Sequence, residues 1–280
     1  MRALLSANFL ADILAFALVS AGIGIFLELR ATNQASLLAV ATSVIAGILL
    51  ALVLNYIFRQ LPFTKGAIIG LAWLSLFIIQ EFSNILEGAF FTTLLATPTL
   101  FLAAVLLGLL VTFIEALLVG FLFTARRPRK SYAREVRKYF GQRSLESWAL
   151  RVAAASLLYF PIYFGFGALI SPIVIPYYTN SSFGLRIPSF EIMVPLEFAR
   201  GFLYVLALLP IIAVLRTDRR YVYAAMVSLL YVAGALVPFL TSSTLPFTLR
   251  LTHGLEILGD CAVYGAVLVK LFGGKNQRFT

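Results

Sequence analysis

Eight apolar stretches of the chain are each long enough to cross a bilayer as a helix, and they limit the fold more than any other feature. A spanning helix needs about 20 mainly apolar residues. The stretches that meet this requirement are 8–29, 36–58, 66–92, 98–124, 148–172, 192–215, 221–241 and 249–272. We therefore predict an all-α fold, a polytopic transmembrane helix bundle of about eight spans.

The overall composition supports this class of fold. Of the 280 residues, 61% are hydrophobic and 12% are charged, whereas a soluble domain has about 45–50% apolar and about 25% charged residues. The chain cannot cover its own surface with polar groups, so lipid is the solvent that suits it. The first stretch follows Arg2 as a secretion signal would, but its apolar run is too long for a signal core, and we interpret it as the first span.

Several kinds of site are excluded by the residues that the chain lacks. The only cysteine, Cys261, allows no intrachain disulfide, and the only histidine, His253, excludes most zinc-hydrolase sites within one chain. We find no nucleotide-binding loop and predict no cofactor.

The basic residues predict how the chain lies in the membrane. Under an eight-span arrangement, 17 of the 22 Lys and Arg residues fall on one side. They are Arg2, Arg59, Lys65, Arg126, Arg127, Arg129, Lys130, Arg134, Arg137, Lys138, Arg143, Arg216, Arg219, Arg220, Lys270, Lys275 and Arg278. Cytoplasmic loops carry the excess of Lys and Arg. We therefore predict a multi-pass protein of the cell (plasma) membrane with both termini in the cytoplasm, and the net charge of +10 requires no nucleic acid partner.

A long basic linker divides the predicted spans into two halves. We expect a first four-span half at 1–124, a basic cytoplasmic linker at 125–147 and a second four-span half at 148–280. Within the linker, aromatic and basic residues alternate at helical spacing, so 126–143 forms either an interfacial helix on anionic inner-leaflet lipids or a solvated linker. A parallel internal repeat would place Glu115 over Glu256. In span five, Pro172 and Pro176 predict that the outer end bends or unwinds.

Three spans carry polar side chains at helical spacing, in the outer half of the predicted membrane. In span eight the ionisable residues follow one another at intervals of three, three and four, which keeps them on one face. The predicted cavity residues are Glu81, Asn84 and Glu87 in span three, Glu197, Arg200 and Tyr204 in span six, and Arg250, His253, Glu256, Asp260 and Tyr264 in span eight.

The cost of these charges predicts that they meet inside the bundle. A charge at the centre of a spanning helix costs about 2.5–3.5 kcal/mol. If the five deepest of these charged side chains faced lipid, their total cost would be on the order of a dozen kcal/mol. We expect a shared, outward-facing polar cavity, with Arg200 as the partner of Glu256 or Glu81, because a guanidinium binds a carboxylate through two hydrogen bonds. A structural role, in which buried ion pairs only fix the helix packing, stays open.

Three functional hypotheses remain open for this cavity. The first is binding or transport of a small or lipid-linked solute, with Arg200 and Arg250 holding an anionic headgroup and Glu256, Asp260 or Glu81 carrying a proton. The second is an intramembrane enzyme. It would use His253 and Glu256 with Asp260 as metal ligands, or His253 as a base. The three residues are weak metal-ligand candidates, and we predict no metal site. The third is an accessory subunit of a larger membrane assembly.

Glu115 is either the inner end of a proton path or a protonated, hydrogen-bonded carboxyl group.

Overall fold

The protein is a bundle of long helices, as the apolar stretches predict. The computed structural model describes residues 7–32, 36–95, 97–124, 130–215, 218–242 and 245–273. Their α-helices are α1 (Ala7–Thr32), α2 (Leu37–Phe58), α3 (Lys65–Leu76), α4 (Ser83–Phe91), α5 (Pro98–Leu122), α6 (Tyr132–Phe140), α7 (Leu145–Thr179), α8 (Phe190–Val214), α9 (Arg219–Ser228), α10 (Val237–Thr241) and α11 (Phe247–Phe272). The π-helical turn Phe77–Phe82 joins α3 to α4, and the π-helical turn Leu229–Leu236 joins α9 to α10.

Seven helical segments of the described residues are long and apolar enough to cross a membrane. They are Asn8–Arg30, Leu37–Phe58, Lys65–Phe91, Pro98–Leu122, Leu145–Thr179, Phe190–Val214 and Arg219–Thr241. The eighth predicted span folds as the 26-residue helix α11, which is about 39 Å long. Because α11 carries Arg250, His253, Glu256 and Asp260, its composition is more polar than that of the seven, and the count of eight stays a prediction.

Local sequence signals account for where the helices begin. The side chains of Ser36, Thr64, Thr97 and Ser144 accept hydrogen bonds from backbone N–H groups in the first turns of α2, α3, α5 and α7. Such caps satisfy donors that have no partner within the helix. Between the third and fourth predicted spans, the Thr97 cap and the adjacent Pro98 mark the start of α5.

Helix α7 differs from its prediction. It continues without interruption through Pro161, Pro172 and Pro176 to Thr179, so the expected unwinding at its outer end was wrong. A proline at position 172 has no N–H for the carbonyl of Ala168, and the Ser171 hydroxyl donates to that carbonyl instead, at 2.9 Å. The polar side chain therefore replaces the lost backbone bond, and the helix survives.

Two glycines allow helices to pack closely. A Cβ on Gly47 of α2 would lie 2.7 Å from the carbonyl oxygen of Ala17 in α1, and a Cβ on Gly201 of α8 would lie 2.6 Å from that of Ser156 in α7. Without a hydrophobic driving force in lipid, close backbone approach through small residues is a main source of helix association. α7 also packs along α11, which places three polar helices, α7, α8 and α11, side by side.

The segments rich in basic residues come together at one end of the bundle, which we call the basic end. Contacts at this end pair Phe9 with Arg59, Gln60 with Tyr221, Pro62 with Lys130, and Tyr139 with Phe272. At the opposite end, Arg186 donates to the carbonyls of Ala89 and Phe90. The predicted basic positions Arg2, Arg126, Arg127, Arg129, Arg216, Lys275 and Arg278 lie outside the described residues.

The basic linker forms the helix α6, and one of its faces packs against the bundle. Tyr139 is 4% exposed, and its hydroxyl donates to the carbonyl of Phe272 at the end of α11, at 2.5 Å. Burial raises the pKa of the Tyr139 phenol, against the opposing effect of Arg143 and Arg151, so the hydroxyl stays a donor. Arg143 and Arg151 donate to the carbonyls of Gly273 and Leu271. Through Tyr139 and Arg143 the linker thus supplies donors to carbonyls at the C-terminus of α11.

Candidate functional site

A buried arginine in α8 organises the polar interior between α4, α7, α8 and α11. Arg200 is 4% exposed. Its Nη1 donates to both carboxylate oxygens of Glu197, at 3.1 and 2.9 Å, and its Nη2 lies 2.7 Å from a carboxylate oxygen of Glu87. Nη2 also donates to the hydroxyl of Tyr204 at 3.3 Å. Two carboxylates, one from the same helix and one from α4, therefore contact the guanidinium.

Three tyrosine rings surround this guanidinium. The Cζ atom of Arg200 lies 5.8, 5.7 and 5.9 Å from the ring centroids of Tyr159, Tyr163 and Tyr204. Cations within about 6 Å of an aromatic centroid are attracted by the ring quadrupole. We call Arg200, Glu87, Glu197 and these three tyrosines the Arg200 cluster.

A small cavity of about 30 Å³ separates the Arg200 cluster from α11. Arg200 and Asp260 both line it, together with Tyr264, whose hydroxyl donates to the carbonyl of Gly201 at 3.1 Å. Asp260 is only 2% exposed, and within the described part of the chain its Oδ1 has no hydrogen-bond partner. A cavity of this size can hold a water molecule where polar groups are present to bind it. Charges from separate helices, α8 and α11, thus meet at one cavity.

A separate pair of ionisable side chains, His253 and Glu256, lies on α11, one turn farther from the basic end than Asp260. His253 Nδ1 is 2.6 Å from Oε2 of Glu256, and His253 Nε2 is 3.3 Å from the hydroxyl of Tyr178. The imidazole also stacks on the ring of Phe239. Glu256 therefore pairs with His253, and Arg200 pairs with Glu87 and Glu197, so neither predicted partnership of Arg200 is formed.

Arg250 does not line the small cavity. Its Nη1 donates to the backbone carbonyls of Phe239 and Ser242, each at 3.0 Å. These carbonyls belong to the end of α10, where a helix leaves acceptors without partners. Arg250 therefore ties α11 to α10 and does not face the polar interior in which the sequence placed it.

A much larger cavity, which we call the chamber, lies between α1, α2, α5, α10 and the π-helical turn Phe77–Phe82. It has a volume of about 580 Å³. Its lining comprises Ser20, Ala21, Ile23, Gly24, Leu27, Glu28, Ser43, Ala46, Gly47, Gln80, Glu81, Asn84, Val111, Glu115, Val237, Pro238, Thr241 and Ser242. The lining runs from residues at the middle of the helices to residues at their ends, on the side opposite to the basic end.

Glu115 is the deepest charged group of the chamber. It is 2% exposed, and it accepts hydrogen bonds from the hydroxyl of Ser20, at 2.7 Å, and from Nε2 of Gln80, at 3.0 Å. Glu81 lies beside this group, with one oxygen 3.5 Å from the same Gln80 nitrogen. Glu81 therefore belongs with Glu115, in a different interior from the other predicted cavity carboxylates.

The two interiors touch at Asn84, which lines both the chamber and the small cavity. Its Nδ2 donates to the carbonyl of Gln80, at 2.8 Å, and to that of Gly234, at 2.9 Å. Gln80 and Gly234 belong to the two π-helical turns, so the Asn84 amide joins them. Such turns are rare and are often found at functional sites.

The structure brings together most of the predicted site residues but divides them among separate groups. Ser20, Gln80, Tyr159, Tyr163 and Tyr178 were not predicted. The sequence offered one usable signal for them, the spacing of four between Tyr159 and Tyr163, whereas Ser20 is a single polar residue in an apolar run.

The chemistry of the site is that of buried ion pairs and hydrogen-bonded carboxyl groups. Among the described residues, no group of three or more His, Cys, Asp and Glu side chains is arranged to hold a metal ion. Comparisons of the chain with protein-family models, with curated proteins and with solved structures found no match.

Proposed function

We propose that this membrane protein binds a small solute in the chamber and carries it across the bilayer. The observation that supports this proposal is a volume of about 580 Å³ that reaches from the carboxyl groups of Glu81 and Glu115 to the end of the bundle. Sites for small molecules have volumes of about 300–1,000 Å³ and are mainly apolar with a few polar groups. Ionisable residues within spanning helices are expensive and most often functional.

Protonation of the chamber carboxyl groups is the proposed coupling step. Removal from water favours the neutral form of a carboxyl group. Glu115 faces Ser20 from α1 and Gln80 from the π-helical turn, and Glu81 is the charged side chain beside it. Exchange of one proton at this pair would change the charge of the chamber and therefore its affinity for a solute.

An anionic headgroup is not part of the proposal. The sequence suggested Arg200 and Arg250 as its ligands, but Arg200 is balanced by two carboxylates and Arg250 is bound to two backbone carbonyls. Neither guanidinium lines the chamber.

The proposed location is the plasma membrane, with both termini and the basic end in the cytoplasm. The exposed face of α6 carries Arg134, Arg137 and Lys138, while Tyr139 of the other face is buried. Basic residues near the surface of the inner leaflet are attracted to anionic lipids by about 1 kcal/mol each. The exposed face of α6 is therefore the proposed contact with these lipids.

An intramembrane enzyme is the second candidate, and one contact favours it. The carboxylate of Glu256 orients the imidazole of His253 at 2.6 Å, as in a general base held by an acid. Its other ring nitrogen is 3.3 Å from the Tyr178 hydroxyl, and His253 lines neither the chamber nor the small cavity. The solute carrier is therefore the function that the geometry supports best.

Cysteine accessibility tests the proposed chamber. In a Cys261→Ser background, Ser43→Cys should react with a small, polar, membrane-impermeant thiol reagent added from the side opposite to the basic end. The matched control is Ile45→Cys, because Ile45 lies on the same helix but is 50% exposed on the outer surface of the bundle, where lipid would cover it. Equal protection of both cysteines would exclude an open chamber.

A further inference from the structure

The ionisable groups that line the chamber have one sign of charge. Glu28, Glu81 and Glu115 line it, and among its described lining residues none is Lys, Arg or His. The nearest basic network, the Arg200 cluster, already contains its own two carboxylates. A cavity lined by charges of one sign and low-dielectric walls concentrates ligands of the opposite sign.

An acceptor without a donor lies in the same lining. Gln80 is 7% exposed, and its Nε2 donates to Glu115 at 3.0 Å, which fixes the amide orientation. Its Oε1 is buried and has no hydrogen-bond partner among the described residues. A buried acceptor left unpaired is costly, and such groups in folded proteins usually have a partner that completes them. A ligand that donates hydrogen bonds would complete this one.

The remaining walls are apolar. Ile23 and Leu27 of α1, Val111 of α5 and Val237 of α10 line the chamber beside the polar groups. A hydrated metal ion would gain nothing from such walls, and a metal ion without its water would need about six oxygen ligands. An organic cation with an apolar body uses both kinds of surface.

We propose that the chamber binds a small amphipathic ammonium ion. The ammonium N–H groups donate to Oε1 of Gln80, one ionised carboxylate of the Glu81 and Glu115 pair balances the cation, and the apolar body lies against Ile23, Leu27 and Val111. This assignment rests on the proposed function, because it names the class of solute that the same chamber takes.

The charge of the chamber can be measured with two thiol reagents of similar size and opposite charge. The reagents are trimethylammonium-ethyl methanethiosulfonate and sulfonatoethyl methanethiosulfonate, applied to full-length protein in nanodiscs. The preference of a site is the ratio of its labelling rates with the cationic and the anionic reagent. In the Cys261→Ser background, we expect this ratio to be about tenfold higher at Ser43→Cys than at Ser182→Cys. Ser182 is exposed at the same end of the bundle, outside the chamber, and corrects for intrinsic reactivity. Thr241→Cys at the mouth of the chamber serves if Ser43→Cys does not fold.

A matched pair of charge variants shows whether the preference arises from the chamber. Adding Glu115→Gln or Glu81→Gln should remove most of the preference for the cationic reagent. Adding Glu191→Gln should leave it unchanged, because Glu191 is exposed and lies outside the chamber lining. Benzylammonium should then slow the labelling of Ser43→Cys, whereas benzyl alcohol and benzoate, which have the same ring, should not.

The outcomes separate this inference from the proposed function. Equal reaction with both reagents, a preference for the anionic reagent, or equal protection by all three ring compounds would overturn the ammonium assignment and leave an accessible chamber. A lack of reaction with either reagent at both Ser43→Cys and Thr241→Cys would overturn the chamber itself, and the assignment with it.

Discussion

At the scale of single residues, the Arg200 cluster shows how a membrane interior holds several charges. Glu197 is fully buried, and the side chain of Glu87 retains 28% exposure. The fork of Arg200 reaches both carboxylates, and this is possible because a planar guanidinium offers several donors in fixed directions. A lysine at this position could not bind in the same way. Buried pairs of this kind add little net stability, but the loss of one partner leaves an uncompensated charge.

This dependence gives a prediction for Arg200→Met. We expect it to lower the free energy of unfolding by about 3–5 kcal/mol, because the carboxylate of Glu197 then stays buried without a partner. The measurement is a reversible denaturation titration in mixed micelles. The matched control, Arg137→Met, removes an exposed basic residue of α6 and should change stability by less than about 0.5 kcal/mol.

A double variant tests the cause of that loss. Adding Glu197→Gln to Arg200→Met removes the uncompensated charge and should recover part of the lost stability. If Arg200→Met is as stable as Arg137→Met, the cluster has no energetic role, and our description of it as a buried ion pair is incorrect.

At the scale of the elements, close helix contacts and π-helical turns position the polar groups. Gly201 lets α8 approach α7 closely enough for the Tyr264 hydroxyl of α11 to reach the Gly201 carbonyl. The two π-helical turns, joined through Asn84, place Gln80 and Glu81 in the chamber. Helix packing and local helix geometry therefore decide which polar side chains share an interior.

Two glycine variants test the packing at this scale. Gly201→Ala should destabilise the protein by about 1–3 kcal/mol, because its Cβ would lie 2.6 Å from a backbone oxygen that cannot move freely. Gly165→Ala on α7 meets no atom within 4 Å, so it should be neutral or stabilising by up to about 1 kcal/mol through helix propensity. Thermal unfolding of both variants in the same detergent provides the comparison, and similar shifts in both would refute the close contact.

At the scale of the whole molecule, the basic segments and the chamber occupy opposite ends. The linker packs against the C-terminus of α11 through Tyr139 and Arg143, and Arg151 of α7 donates to the same terminus, so hydrogen bonds hold the segments of the basic end together. The chamber lining ends at Glu28, Thr241 and Ser242, on the other side. If the positive-inside rule holds for this chain, the chamber is open to the exterior.

Side-specific labelling of intact cells tests that orientation. Ser182→Cys should react with an impermeant reagent added outside, and Arg137→Cys should react only after permeabilisation, each in the Cys261→Ser background. Ser182 and Arg137 are both exposed in the structure, at the opposite end and the basic end respectively. The reverse pattern would mean that the chamber opens to the cytoplasm.

The sequence by itself determined the class of fold, the positions at which the helices end and begin, and the positions of the basic segments along the chain. These depend on local quantities, namely the length of apolar runs, capping residues such as Thr97 and Ser144, and the cost of a polar group in lipid. The same cost led us to predict that Arg200 and Asp260 face the interior, and in the structure both line the small cavity.

Only the tertiary structure decided which charges pair and where the chamber lies. Arg200 could reach any carboxylate at a similar depth, and the packing of α4 and α8 selected Glu87 and Glu197. Glu115 gains partners from α1 and from a π-helical turn, neither of which its own helix reveals. Depth along a helix is set by sequence position, but the rotation and neighbours of each helix depend on contacts made by all the others.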